Sequence, residues 1–376
     1  MAARAGCGRT RVPASESHDA AQPAADDRGT PEGSPVRLLT ASLLACCALL
    51  GGAVAAPRAD ATGVTCSVTD LPVTGPTGGA AVVQGQLCVP SGSTPASVQL
   101  LVHGGTYNRA YWDLPVEGYS YQKDMARNGF ATFAVDRLGA GASTHPPSVP
   151  MLIGAEARSL HEVISHLRAG HVGGTSFAKV VIVGHSVGSG IVAAEAATYH
   201  DVDGVILSGM THMPAVPVLV VSAALGLTPV FVDSQLAHLG TDPLWFTTRP
   251  GARKPLFYSD NADPAVIAAD EATKDEVSVP GMGTVAVFGI VLPTTYGIDV
   301  PVFQAVGSQD VLFCGLLALR DCSSAASLCA GEAAYYRPEA QLQTYVLPGA
   351  GHSLGLHRNA AEYYAASRTW LSAKGF

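Results

Sequence analysis

Five residues, Gly184-His185-Ser186-Val187-Gly188, stand between an apolar β-type run at 179–183 and a small-residue helical stretch at 187–199. A strand that turns abruptly into a helix forces the residue at the turn into a strained backbone conformation, which only small neighbours tolerate. Gly184 and Gly188 lack the β-carbon that would clash as strand and helix close on each other. The Ser186 hydroxyl is thereby pushed out above the sheet, at the positive end of the following helix. The bare spacing is weak, because Gly and Ser are common in this chain. The strand before it and the helix after it give it weight.

The rest of the chain continues that alternation. The pattern predicts strands at 80–89, 97–102, 130–135, 179–183, 204–207, 300–306 and 342–347. It predicts helices at 119–128, 151–169, 187–199 and 355–373. Strands alternating with helices imply an α/β fold, a mostly parallel sheet covered on both faces. Between 209 and 299 the rhythm is lost. The run 216–232 is very apolar, and 262–276 is charged and helical-looking. The segment is too long for a loop. It is expected to form a helical cap over the site at about 210–299, the alternative being extra helices packed away from it.

At 376 residues and 48% hydrophobic, the chain is long enough for one large domain with an insertion and a leader. Only 14% of residues are charged, the formal charge is -8, and no long Lys/Arg cluster occurs. Nucleic acid and anionic membrane surfaces are therefore not expected partners. Residues 1–35 are rich in Ala, Gly, Pro, Ser and charge, and read as disordered or as a mis-annotated extension. Arg37, the apolar run 38–50 and Gly51-Gly52-Ala53-Val54-Ala55 have the layout of a secretory signal, placed at 36–61. Cleavage is expected after Ala55, with Ala59-Asp60-Ala61 as a second site, and translation is expected to start at Val36. The apolar run is short for a membrane span, so no stable insertion is expected after cleavage. The domain at 62–376 is then secreted, to the extracellular or the periplasmic and cell-wall space. Export permits disulfides: Cys66 with Cys88, and two of Cys314, Cys322 and Cys329. No CxxC or HExxH spacing points to a metal, and no cofactor is implied.

Four motifs carry chemistry. The strand at 97–102 leads into His103-Gly104-Gly105-Thr106, a turn that leaves backbone N–H groups pointing outward. An acyl-transfer intermediate needs two such donors at its developing oxyanion. The N–H groups of Gly105 and Val187 are the favoured pair, with Thr106 the alternative to Gly105. Asp136, heading the Gly-x-Gly loop Asp136 to Ser143, precedes the serine in the chain and reads as structural. Ser186 needs a base to remove its proton. Asp310 and His352 each follow a β-type run, and a parallel sheet gathers such strand ends at one rim. Asp310 can accept from one nitrogen of His352, which leaves the other free to take the Ser186 proton.

Taken together, His103-Gly104, Asp136 with its loop, Gly184-His185-Ser186-Val187-Gly188, Gly307-Ser308-Gln309-Asp310 and Gly351-His352 resemble the α/β-hydrolase family, over roughly 82–376. The resemblance implies an eight-stranded sheet, a cap inserted after the sixth strand, and a triad of Ser186, Asp310 and His352. Epoxide and haloalkane hydrolases of that fold carry Asp at the nucleophile position, and Ser186 argues against both. Val187 and Ser189 depart from the Met-Gly-Gly pattern of polyester-degrading cutinases. The expectation is a serine hydrolase acting on a small-molecule carboxylic ester. Lactones, thioesters, amides and C–C bonds are alternatives within the same fold, and a non-catalytic binder is the rival from another class. Tyr107 and Trp112, with Tyr111, are expected to line the substrate pocket. The apolar stretch within the insertion favours an apolar, small to medium ester.

Overall fold

Alternate residues of a strand face opposite sides of its sheet, and the central strands bury both. Val180 and Ile182 join one core cluster while Val181 and Val183 join another. Such strands read as continuous apolar runs because helices cover both faces. The computed structural model describes residues 58–59 and 63–376. The expected leader otherwise lies outside the described residues.

The main sheet takes strands β1 (Arg58–Ala59), β2 (Val64–Thr74), β3 (Ala80–Pro90), β4 (Ser97–Val102), β5 (Ala131–Val135), β6 (Lys179–His185) and β7 (Gly204–Ser208). The short strands β8 (Leu227–Pro229), β9 (Trp245–Thr248) and β10 (Val277–Ser278) form a separate sheet. Strands β11 (Val302–Gly307) and β12 (Gln343–Leu347) complete the main one. Its order is β1-β2-β3-β5-β4-β6-β7-β11-β12. From β5 to β12 every neighbouring pair is parallel. The β2–β3 hairpin and its pairing with β5 are antiparallel. Eight strands thus form the mostly parallel sheet, with the two-residue β1 at its edge.

Helices α2 (Ile153–Ala169) and α3 (Val187–Tyr199) cover one face. Leu160, Val163 and Ile164 from α2 join Ile191 and Val192 from α3 in that core. On the other face, Tyr121 and Met125 of α1 (Tyr121–Arg127) pack with Tyr363 and Trp370 of α9 (Ala360–Ala373), the helix that follows α8 (Ala325–Glu332) in the chain. The last helix begins later than the expected 355, because 354–356 forms a tight 3-10 turn first. Strand β2 has no counterpart among the expected strands. Asp70 and Pro72 interrupt its pattern, and Pro is tolerated here because beyond Cys66 one side of the strand pairs with no strand among the described residues. Cys66 and Cys88 sit opposite each other in that hairpin and are bonded, as are Cys314 and Cys322.

Between β7 and β11 the insertion contains α4 (Val216–Gly226), α5 (Arg253–Phe257), α6 (Pro264–Ala272) and α7 (Val279–Thr284), and a π-helical turn at Val285–Val291. It is not helical throughout. The β-type run Trp245–Thr248 pairs with a strand on either side, giving the antiparallel order β10-β9-β8. None of the helices among the described residues is long and apolar enough to cross a membrane.

Candidate active site

Strands β4 and β6 are neighbours, yet β4 is followed by β5 on its other side. Crevices in open α/β sheets form at the carboxyl ends of strands where the order reverses in this way. Ser186 stands there, directly after β6. Its backbone is at φ 55 and ψ -121, a region that non-glycine residues enter only under constraint. The constraint is visible on both sides. A β-carbon on Gly184 would lie 2.5 Å from Ser189 Cα, and one on Gly188 would lie 2.4 Å from the His103 carbonyl oxygen. Ser186 N–H donates to the Ser208 carbonyl at 2.8 Å, tying the turn to β7.

Asp310 and His352 follow β11 and β12 on the same rim. Nδ1 of His352 meets Asp310 Oδ2 at 2.9 Å, and Asp310 Oδ1 accepts the Leu312 N–H at 2.9 Å. Both residues are buried. His357 holds the loop that carries His352. Its Nδ1–H donates to the Ser353 carbonyl, and its Nε2 accepts the N–H groups of Gly351 and Ser259. The structure therefore brings Asp310 and His352 into contact. Ser186 stands on a neighbouring strand end, and Ser186 Oγ and His352 Nε2 make no hydrogen bond among the described residues. The ring of His185, next to Ser186, lies 4.9 Å from the ring of His352.

Gly105 and Thr106 face Val187 across the turn. Neither of their N–H groups donates to another described residue. Val187 opens α3, so its N–H has no acceptor within the helix. Thr106 is held at φ 60. Its carbonyl accepts from the Asp275 N–H and from Arg253 Nη1, both at 3.0 Å. Arg253 is fully buried, makes two bonds of 2.9 Å to Asp270, and lies 4.1 Å over the ring of Tyr107. Burial opposes its charge, and the carboxylate of Asp270 more than restores it.

A family model for the alpha/beta hydrolase family matches residues 99–366. The chain belongs to the alpha/beta hydrolase family. Among solved structures, this hydrolase is similar to a thermophilic esterase from Thermogutta terrifontis, with 21% identity, a TM-score of 0.54, and coverage of 82% of this chain and 100% of that one. It is similar to the enol-lactonase from Burkholderia xenovorans LB400, with 16% identity, a TM-score of 0.54, and coverage of 78% and 97%. A soluble variant of monoglyceride lipase from Saccharomyces cerevisiae gives 18% identity, a TM-score of 0.50, and coverage of 78% and 92%. At these identities the likeness is one of fold. No curated protein is similar enough to match.

The hydrolase carries a cavity of about 380 Å³ whose walls include Gly105, Thr106, Ser186 and Val187. The remaining walls are almost wholly apolar. Leu219, Leu256, Phe257 and Met282 come from the insertion, and Leu312 and Phe313 from the loop after Asp310. Tyr107 and Trp112 are not among them. Trp112 packs against Tyr111 and Tyr121 in the core beneath α1. Tyr107 is enclosed by Tyr111, Phe257 and Arg253, and its hydroxyl bonds Ser353 Oγ at 2.7 Å. Tyr107 thus braces the His352 loop and does not wall the cavity. Asp136 has the structural part expected of it: its carboxylate accepts the N–H groups of Arg109 and Ala142 and pairs with the Arg109 guanidinium.

Arg253, Asp270 and His357 were not visible in the sequence, since nothing in their spacing marks them. His103 has a similar bracing part. Its Nδ1–H donates to the Gly104 carbonyl at 2.9 Å, and its Nε2 accepts the Arg137 N–H at 3.0 Å. Burial, and then the nearby charge of Arg137, hold its pKa well below 6.5. The unfolded chain takes up a proton there as pH falls through about 6.5, whereas the folded protein does not. This contribution to stability is complete above that pH and is lost on acidification toward the lowered folded-state value. We expect His103→Asn to lose less unfolding free energy than wild type on going from pH 7.5 to 5, by up to about 1.4 kcal/mol per pH unit below 6.5. Urea unfolding at both pH values measures it; equal acid losses in the two proteins would contradict the assignment.

Proposed function

We propose that this hydrolase is an exported serine esterase that cleaves apolar, small to medium carboxylic esters through Ser186, His352 and Asp310. The observation that carries the reading is the pairing of His352 with Asp310 beside a strained serine that opens into an apolar cavity. Asp310 holds the imidazole so that Nε2 is unprotonated. Nε2 removes the Ser186 proton as Oγ attacks the ester carbonyl. Charge developing on the carbonyl oxygen is met by the N–H groups of Val187 and Gly105, or Thr106 in place of Gly105. His352 then protonates the departing alcohol, and an acyl-Ser186 ester remains. Water, activated by the same nitrogen, releases the acid. Catalytic hydrogen bonds are often long before substrate binds and tighten in the complex, which suits the separate Ser186 and His352 side chains.

The insertion acts in this reading as a cap that selects the acyl chain. Residues 36–61 serve as the export leader, and the disulfides Cys66–Cys88 and Cys314–Cys322 support an oxidising destination.

A series of p-nitrophenyl esters tests the substrate class. Hydrolysis is expected to rise from acetate to medium chains. Preference for acetate with no activity beyond butyrate would overturn it. Gly283 in α7 lines the cavity, and a β-carbon there meets nothing within 4 Å. Gly283→Phe is therefore expected to fold, to keep acetate hydrolysis and to lose about tenfold or more on octanoate, since a ring replaces the space for several methylenes. Unchanged chain-length preference in that variant would remove the cavity from the acyl site.

A further inference from the structure

Helices α2 and α3 pack side by side, and three ligand-type side chains meet at one end of their contact. His161 lies on α2, Glu195 on α3, and Asp201 just beyond α3. One donor atom from each lies within 4.8 Å of the other two. Glu195 is 0% exposed, and no N–H group of the described residues donates to either of its carboxylate oxygens, which face Asp201. Asp201 Oδ1 is buried without a partner too. Asp201 Oδ2 meets His161 Nδ1 at 2.6 Å, and the imidazole stacks on Tyr199 at 4.1 Å between ring centres. No Lys or Arg side chain among the described residues pairs with either carboxylate. Arg168 donates instead to the Asp201 backbone carbonyl and to Asp203.

An unpartnered buried carboxyl is costly in a helix face where an alanine would serve. Two carboxyl groups facing each other need either a proton or a cation between them. Burial and the neighbouring Asp201 push the Glu195 carboxyl up to about 10, so the proton is the competitor. One imidazole nitrogen with two carboxylate oxygens is a donor set for a borderline divalent ion. The His161 and Asp201 side chains are 36% and 21% exposed, which leaves water a route to the remaining coordination positions.

We propose that His161, Glu195 and Asp201 bind a divalent cation of the manganese or zinc type that pins α2 to the end of α3. Glu195 lies nine residues along from Ser186, about 13 Å at 1.5 Å per residue, so the ion is structural rather than a participant in ester cleavage. The site is independent of the esterase reading.

The test is calorimetric titration of the chelator-treated full-length protein with manganese(II) chloride, and a melting curve with and without the ion. Saturable binding of one ion and a raised melting temperature are expected. Glu195→Gln keeps the shape and removes the charge, and is expected to weaken binding about tenfold or more and abolish the melting shift. Asp201→Asn, at a partly exposed position, makes the same comparison if Glu195→Gln fails to fold. Zinc is titrated in a His171→Ala background, because His166 and His171 face each other at 2.8 Å and offer it a second site. Absence of saturable binding of either metal would overturn the proposal and leave a shared proton between the carboxyls. So would folded variants that bind as wild type does.

Discussion

Ser186→Ala is expected to lower kcat/KM on a p-nitrophenyl ester by on the order of 10⁴-fold or more, with the fold intact by circular dichroism. In the proposed mechanism nucleophile, base and acid act as a unit, so removal of the attacking atom forfeits most of what the unit contributes. A fluorophosphonate probe is expected to label the wild type and not the variant. The backbone around the serine should be preserved, because the turn is set by Gly184, Gly188 and the bond to Ser208 rather than by the hydroxyl. Hydrolysis within about tenfold of wild type would show that another group attacks the ester, and the serine mechanism would fail. Absent labelling in the folded wild type would favour a non-catalytic binder.

Arg253→Ala is expected to cost about 3–5 kcal/mol of unfolding free energy, because Asp270 is left buried without its partner. The same change takes one of two donors from the Thr106 carbonyl, which keeps the Asp275 N–H, and the Arg253 donor from the Thr106 hydroxyl. In the proposed mechanism that turn supplies donors to the transition state, so activity is expected to fall in kcat more than in KM. The double variant Arg253→Met with Asp270→Leu is expected to regain most of the stability, because neither charge of this pair then remains buried. Urea unfolding of the three proteins checks this. A single-variant cost below about 1 kcal/mol would mean that the pair behaves like an exposed one.

Much of the site was legible because of how parallel strands present themselves. β4, β6 and β11 are buried on both faces, so each reads as an apolar run, and the polar residues just beyond are conspicuous. Ser186 and Asp310 could be placed on one rim from that, and His352 from the shorter, half-buried run of β12 before it. What supports them was not legible. Arg253 and Asp270 are 17 residues apart on two short helices of the insertion, and no periodicity links them. His357 looks in sequence like any histidine near a helix start, yet it accepts two N–H groups of different loops. Tyr107 and Trp112 follow the oxyanion turn closely enough to suggest cavity walls. Trp112 is turned inward against Tyr121 of α1, and Tyr107 is held by Phe257 and Arg253 of the insertion and by Ser353, contacts that only the folded chain brings together. The irregular insertion was recognisable by its length, but its small sheet depends on pairings between residues far apart in the chain, which local patterns do not record.

The guanidinium clamp on Thr106 also limits how this protein can be re-engineered. Cover segments of hydrolase folds invite exchange as cassettes, grafted from one scaffold to another to alter selectivity. Here the donor of two bonds to Thr106 resides in the insertion between β7 and β11, at Arg253. A transplanted insertion lacking that arginine would leave the turn at Gly105 and Thr106, which we propose meets the oxyanion, without its keystone.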